Sequence, residues 1–164
     1  MDVLTLTSPA FRDGEPIPRR HTGFGEDLSP ALTLSGLCPE AQSLAIVLED
    51  LDVPFCKTYT HWLLWNLPPR TALAEGVPPG ETLPSLGGAV QGVGYGVHRY
   101  RGPHPPFFLR RPHRYVFRVC ALDRMLDLPP SAGRQALRQA VSGHILQEAA
   151  LMGTCRAGAA HRDR

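Results

Sequence analysis

Lysine is almost missing from this chain: sixteen of its seventeen basic residues are arginine, and only Lys57 is lysine. Arginine offers a planar fork of donors suited to carboxylate or phosphate. The same bias, together with the wealth of Ala, Gly and Pro, is equally what a GC-rich genome produces. Cysteine is scarce too. Cys38, Cys56, Cys120 and Cys155 are far apart and form no C-x-x-C pair, which excludes zinc-finger and thioredoxin-like spacing and favours reduced structural thiols. No run approaches the roughly 20 apolar residues of a membrane span. The start, MDVLTLTSPAF, has neither a basic n-region nor a continuous apolar h-region, so a cytoplasmic protein without a signal peptide is expected. There is no G-x-S-x-G elbow, H-E-x-x-H helix or P-loop, so the enzyme classes built on those motifs have no support.

What is present describes an ordinary globular domain. A chain of 164 residues with 43% hydrophobic and 20% charged residues fits one core. A single domain over 1–157 is expected, with 158–164 as a flexible tail. Seventeen prolines and sixteen glycines are too many for a helical bundle and suggest short strands joined by firm loops. Charge is distributed unevenly. Residues 1–96 hold five basic and eleven acidic residues, whereas 97–164 hold twelve basic and four acidic, so an anionic partner would dock on the second part.

Strand patterns recur along the chain. Leu4–Thr7 and Ala31–Leu34 alternate, Ser43–Leu48 is a short apolar run, and His61–Leu67 is aromatic-rich. Arg114–Leu122 carries the clearest β signature, with Tyr115, Phe117, Val119 and Ala121 on one face. After Pro129-Pro130 the spacing becomes helical: Ser131 can cap a helix carrying Ala136, Leu137, Ala140 and Val141. Gly143 interrupts it, and His144–Ala150 predicts a second short helix before a short strand at Leu151–Cys155. The expected fold is mainly β: an antiparallel β-sandwich or partly opened barrel with two short C-terminal helices.

Three clusters could carry chemistry. The first is Asp50-Leu51-Asp52-Val53-Pro54, where the two carboxylates flank one residue and point the same way if the segment is extended. Such a pair suits a histidine or a bound amine between its members, or a plain turn in which an Asp accepts backbone N–H groups. The second is His61-Trp62, which opens an apolar run; Trp62 belongs to the core, and His61 is either a satisfied core ring or a donor to a ligand oxygen. The third is the stretch HRYRGPHPPFFLRRPHRY, residues 98–115, with five arginines, three histidines and no acid. Its prolines restrain it as a loop. At its end His113 and Tyr115 stand two apart on a strand, presenting an imidazole and a phenol to one face, while Arg114 points away.

DLDVP, HW, YRGPHPP, HRYVF and GHILQEAALMGT follow one another in an order that resembles the phosphatidylethanolamine-binding protein family, most closely its compact bacterial branch, often labelled Raf-kinase-inhibitor-like. The resemblance runs from SPAF at 8–11 and SPALTLSG at 29–36 to Thr154. It implies a β-sandwich with a small anion pocket and no cofactor or metal. By position, Asp50 and Asp52 match the family's acidic motif, His61 its pocket histidine, and His113 and Tyr115 its later polar pair. Gly102, Pro103, Pro105 and Pro106 match its glycine–proline loop. The implied ligand is phosphate or another small anionic or phosphorylated group, with a phosphorylated protein and a kinase-inhibitor-like role as further implications; apart from the resemblance, an exposed face could form a homodimer.

Two departures stand out. The family's D-P-D-A-P reads D-L-D-V-P here, and the segment before HRY, normally polar, is FFLRRP at 107–112. Phe107, Phe108 and Leu109 would crowd the pocket mouth beside Arg110 and Arg111. The alternatives rank behind a binding module: a weak hydrolase using Asp50 or Asp52 with His61, nucleic-acid binding through the arginines at 99, 101, 110, 111 and 114, and a metal held by His61, His104 and His113.

Overall fold

The strand Ser43–Asp50 (β3) is buried at every residue, and that accounts for its unbroken apolar sequence. Leu44, Ile46 and Leu48 enter one core, while Ala45 and Val47, on the opposite face, enter another. A strand covered on both sides has no solvent face to alternate toward. In the computed structural model, which describes residues 2–55 and 58–157, β3 lies inside a large sheet. That sheet also contains Tyr59–Leu67 (β4), Thr82–Leu83 (β6), Ala89–Gln91 (β7), His113–Leu122 (β8) and Ile145–Cys155 (β9), in the order β6-β7-β4-β3-β8-β9. A small sheet of Thr5–Thr7 (β1), Leu32–Ser35 (β2) and Ala72–Leu73 (β5) runs β1-β2-β5. Every neighbouring pair is antiparallel.

The main core fills the space between the sheets. Leu6, Leu32, Leu34 and Leu73 from the small sheet meet Leu44, Ile46, Trp62, Phe117 and Val119 from the large one. Burying each of the large side chains contributes on the order of 2–3 kcal/mol. Trp62 also needs a partner for its indole N–H, and donates it to Gln91 Oε1 at 2.7 Å. On the outer face, Leu137 and Val141 of the one α-helix among the described residues, Arg134–Val141 (α1), cover Val47, Leu63 and Trp65. Beside these elements stand two single 3-10 turns, at Arg19–His21 and Pro84–Leu86. No described helix is long and apolar enough to cross a membrane.

The mainly β, antiparallel architecture agrees with the sequence, but the second helix does not form. Residues 145–155 are strand, paired with β8 along its whole length from Ile145↔Leu122 to Cys155↔His113. The local run QEAAL favours helix, but the exposed ladder of β8 requires partners for its N–H and C=O groups, and pairing overrides propensity. Gly153 then permits a close approach: Ile17 and Phe11 occupy the space a side chain would take. The α1 cap also differs, since Gly133 rather than Ser131 is the N-cap and no side chain caps the helix. The expected tail, 158–164, lies outside the described residues.

Candidate anion-binding pocket

Because β3 runs antiparallel to both β4 and β8, the C-terminal end of β3 meets the N-terminal ends of its two neighbours. In register, Asp50 stands between Tyr59 of β4 and Tyr115 of β8. Chain segments distant in sequence are thereby brought together at one end of the sheet. A cavity of about 200 Å³ opens there, lined by Asp50, Val53, Pro54, Tyr59, His61, Tyr95, His104, Pro105, Pro106, Leu109, His113 and Tyr115.

His61 reaches this cavity through a β-bulge. Leu48 pairs with Trp62 but Glu49 pairs with Thr60, so His61 is an extra residue on β4. Strict alternation would send His61 to the face opposite Trp62. The bulge re-aims it so that both point inward. Gly94 lies directly over this kink, where a Cβ would press on the backbone of His61 and Trp62, and the Tyr95 N–H donates to Thr60 O at 3.1 Å. Tyr95 itself has φ 54° and lays its ring 5.0 Å from that of His61.

The two imidazoles are held in the same way. His61 Nδ1 is 2.8 Å from Arg101 O, and His113 Nδ1 is 2.8 Å from Asp50 Oδ2. A carbonyl or carboxylate oxygen can only accept, so each ring donates from Nδ1; the backbone of Gly102 also lies against the His61 ring, whereas His113 turns Nε2 away from Asp50. The Tyr115 ring lies 5.4 Å from that of His61 and 6.3 Å from that of His113. Burial, and then the Asp50 carboxylate, push the Tyr115 phenol far above its ordinary range, so it remains an O–H donor. Burial lowers the His61 pKa below the ordinary 6.5, against smaller opposing effects of the Arg101 carbonyl and Asp50.

Asp52, expected beside Asp50, turns out of the cavity. Strand geometry ends at Asp50, so the alternation that would align the two carboxylates does not continue. Instead the Asp52 N–H donates to Asp50 Oδ1 at 2.8 Å, and the Asp52 carboxylate takes Arg114 in a two-pronged pair at 2.9 and 3.0 Å. The Arg114 guanidinium holds the Asp52 pKa below its ordinary value. The proline loop divides similarly. Pro105 and Pro106 line the cavity, whereas Gly102 donates its N–H to Asp27 Oδ1 and Pro103 O accepts from the Gly23 N–H, both at 2.8 Å. These last two anchor the loop. Phe107 and Phe108 do not crowd the mouth; Leu109 does, and the two rings face solvent.

Tyr59, Tyr95 and the Arg101 carbonyl belong to the site without having been singled out from sequence. Tyr59 stands two residues before His61 on one strand, a spacing that could have found it; Tyr95 sits in a glycine-rich loop with no periodic signal. The arginines do not form one patch, since Arg114 is paired with Asp52 and Arg101 lies 3.9 Å from Asp27 and over the Tyr95 ring. Among the described residues no group of three or more His, Cys, Asp or Glu is arranged to hold a metal, although His61, His104 and His113 share the cavity. A larger, open depression of about 600 Å³ beside α1 brings together no imidazole or phenol.

Residues 7–156 match the model of the phosphatidylethanolamine-binding protein family. The chain belongs to that family. Among its relatives, a UPF0098 protein of Methanothermobacter thermautotrophicus is 45% identical over 157 residues, 94% of this chain and 100% of the relative. In Pyrococcus horikoshii, UPF0098 protein PH1269 is 39% identical over 89% of this chain and 73% of the relative. The crystal structure of CT736 from Chlamydia trachomatis, described as a homolog of the phosphatidylethanolamine-binding protein, superposes with a TM-score of 0.83 at 36% identity, covering 95% of this chain and 99% of that one. For the phosphatidylethanolamine-binding protein family, then, the sandwich of two antiparallel sheets is shared with solved relatives.

Proposed function

We propose that this protein is a binding module whose pocket takes the phosphoryl or carboxylate end of a small anionic ligand, without turnover. The observation that carries the reading is the convergence of His61, His113 and Tyr115 on one cavity, with the far edge of His113 turned away from Asp50 and the Tyr115 hydroxyl beside that carboxylate. A tetrahedral anion there accepts from the Tyr115 hydroxyl and from imidazolium Nε2–H groups, as charge-assisted hydrogen bonds. Asp50 fixes the His113 ring, and it is also placed to receive an ammonium from a zwitterionic guest. Pro105 and Pro106 shape the wall at low entropic cost, because their backbone is already restrained. A phosphorylated protein segment could present the same group as a small metabolite, and a kinase-inhibitor-like role would work through that chemistry.

Calorimetric titration with inorganic phosphate tests this. The parent binds, and His113→Ala binds about tenfold or more weakly, as expected for losing a hydrogen bond to a charged group, in a variant that still folds but melts lower because Asp50 has lost its buried partner. Equal binding by the two proteins would overturn the reading.

A hydrolytic second reading draws on the Asp50–His113 pair, which resembles a carboxylate orienting a general base. The cavity lining contains no Ser, Thr or Cys nucleophile, so water would have to be the attacking group. Turnover of any of a panel of phosphoesters, abolished in His61→Ala, would replace the binding reading with this one.

A further inference from the structure

Most of the large apolar side chains that the fold leaves in solvent surround one opening. Phe55, Phe107 and Phe108 are 108%, 87% and 67% exposed, and Tyr59 and Tyr95 are also exposed. The two loops that carry the phenylalanines flank the cavity: Val53 and Pro54 line one side, Pro105, Pro106 and Leu109 the other. Phe107 and Phe108 stack edge to face at 5.8 Å, and with Arg110 and Arg111 they follow one another in sequence. Arg110, Arg111 and Phe108 line a shallow depression with Pro54, Leu109 and Pro112. Neither Arg110 nor Arg111 has an ion pair among the described residues, and the nearby carboxylate of Asp52 is already taken by Arg114.

We propose that this rim, with Phe55, Phe107 and Phe108 as apolar tips and Arg110 and Arg111 as cations, docks the protein on an anionic lipid surface. Exposure this high means that the rings are convex tips with almost no packing of their own. A protein partner would have to offer a matching cavity for each tip, whereas a lipid interface deforms around any of them. Aromatic rings at headgroup depth beside unpaired cations gain both apolar burial and attraction to acidic lipid. Arginine stems also cover apolar surface while their heads stay at the phosphates. Docked this way, the mouth of the cavity faces the headgroup layer. The inference concerns the rim and does not depend on what the cavity binds.

Vesicle flotation of the full chain tests it, using phosphatidylcholine alone and phosphatidylcholine with about one-third phosphatidylglycerol. The parent floats with the acidic vesicles at low salt, releases as salt shortens the Debye length, and ignores the neutral vesicles. The double variants Phe107→Ser with Phe108→Ser, and Arg110→Gln with Arg111→Gln, each lose about tenfold or more in partitioning and keep the parent melting profile. A separate readout uses Phe108→Trp. Trp62 and Trp65 are buried and keep their emission when vesicles are added, so the change reports the new indole, whose emission shifts to shorter wavelength on acidic vesicles. No flotation at low salt, flotation indifferent to both double variants, or an unshifted Trp emission would overturn the proposal. So would a dimer of the parent in sedimentation that the phenylalanine variant dissolves, which would assign the rim to a second copy of this chain.

Discussion

His113 Nδ1 lies 2.8 Å from Asp50 Oδ2, with both side chains about 95% buried, at the point where β8 begins and β3 ends. A hydrogen-bonded pair so enclosed is held by geometry on both sides, and it leaves only the far edge of the imidazole for a guest. The carboxylate two residues on has the opposite fate, turned outward to Arg114.

That contrast gives a direct test. Asp50→Asn weakens phosphate binding by about ten- to a hundredfold, the worth of a lost charge-assisted bond of about 1.5–3 kcal/mol. Asp52→Asn changes it by less than about threefold, since exposed pairs contribute little. Calorimetry on the two variants checks the order; equal losses would place both carboxylates at the guest.

Burial of His61 makes anion binding depend on pH. In the empty cavity the ring resists protonation, and a guest anion favours the charged ring, so binding takes up a proton. Sulfate, whose own charge is constant, therefore binds more tightly as pH falls from about 8 to about 5.5. His61→Gln flattens the profile. A sulfate affinity that is level across this range in the parent would contradict the assignment.

The same burial acts on the fold. His61 and His21 both have pKa values lowered below 6.5 chiefly by burial. The unfolded chain then binds protons more readily than the folded one, so stability is complete above pH 6.5 and falls as pH drops below it. Thermal melts should show this loss, with saturating sulfate restoring part of it through His61.

Two core tryptophans differ in one bond. Trp62 donates to Gln91 Oε1, whereas the Trp65 N–H is buried without a partner. Trp62→Phe strands the Gln91 acceptor and costs about 2–4 kcal/mol. Trp65→Phe removes an unsatisfied donor and costs less than about 1.5 kcal/mol. Urea titrations that rank them in the reverse order would reject this.

Gly102 belongs to the anchored part of the loop, just before the residues that line the cavity. A Cβ there would run into His21 O, Asp27 and Tyr100. Gly102→Ala therefore destabilises the fold by about 1–3 kcal/mol. Because Arg101 O next door holds His61, it weakens phosphate binding as well. Unchanged affinity in a variant shown to be destabilised would separate the loop from the pocket.

Much of the site could be read from residue order, and what could not has a definite cause. His113 and Tyr115 were legible because regular β8 preserves the two-residue period. His61 was ambiguous because a bulge breaks that period, and a bulge depends on Gly94 crossing above it, a contact far away in sequence. Asp52 was misaligned because the strand stops at Asp50, and no local signal marks where pairing ends. Residues 144–150 read as helix because their composition favours one; the demand of β8 for a partner is invisible within the segment itself. Pro105 and Pro106 were legible as rigid wall, yet the anchoring by Gly102 and Pro103 depends on Asp27 and Gly23, which only the folded chain brings near.

β3 has a neighbouring strand on each edge and a hydrophobic core on each face, so its amides can reach solvent deuterium only when the whole domain opens. The loops at 53–55 and 105–111 have no such restraint. New guests can therefore be explored by altering the walls of the cavity while its charged floor stays fixed, and divergence among such proteins should accumulate in those two loops first.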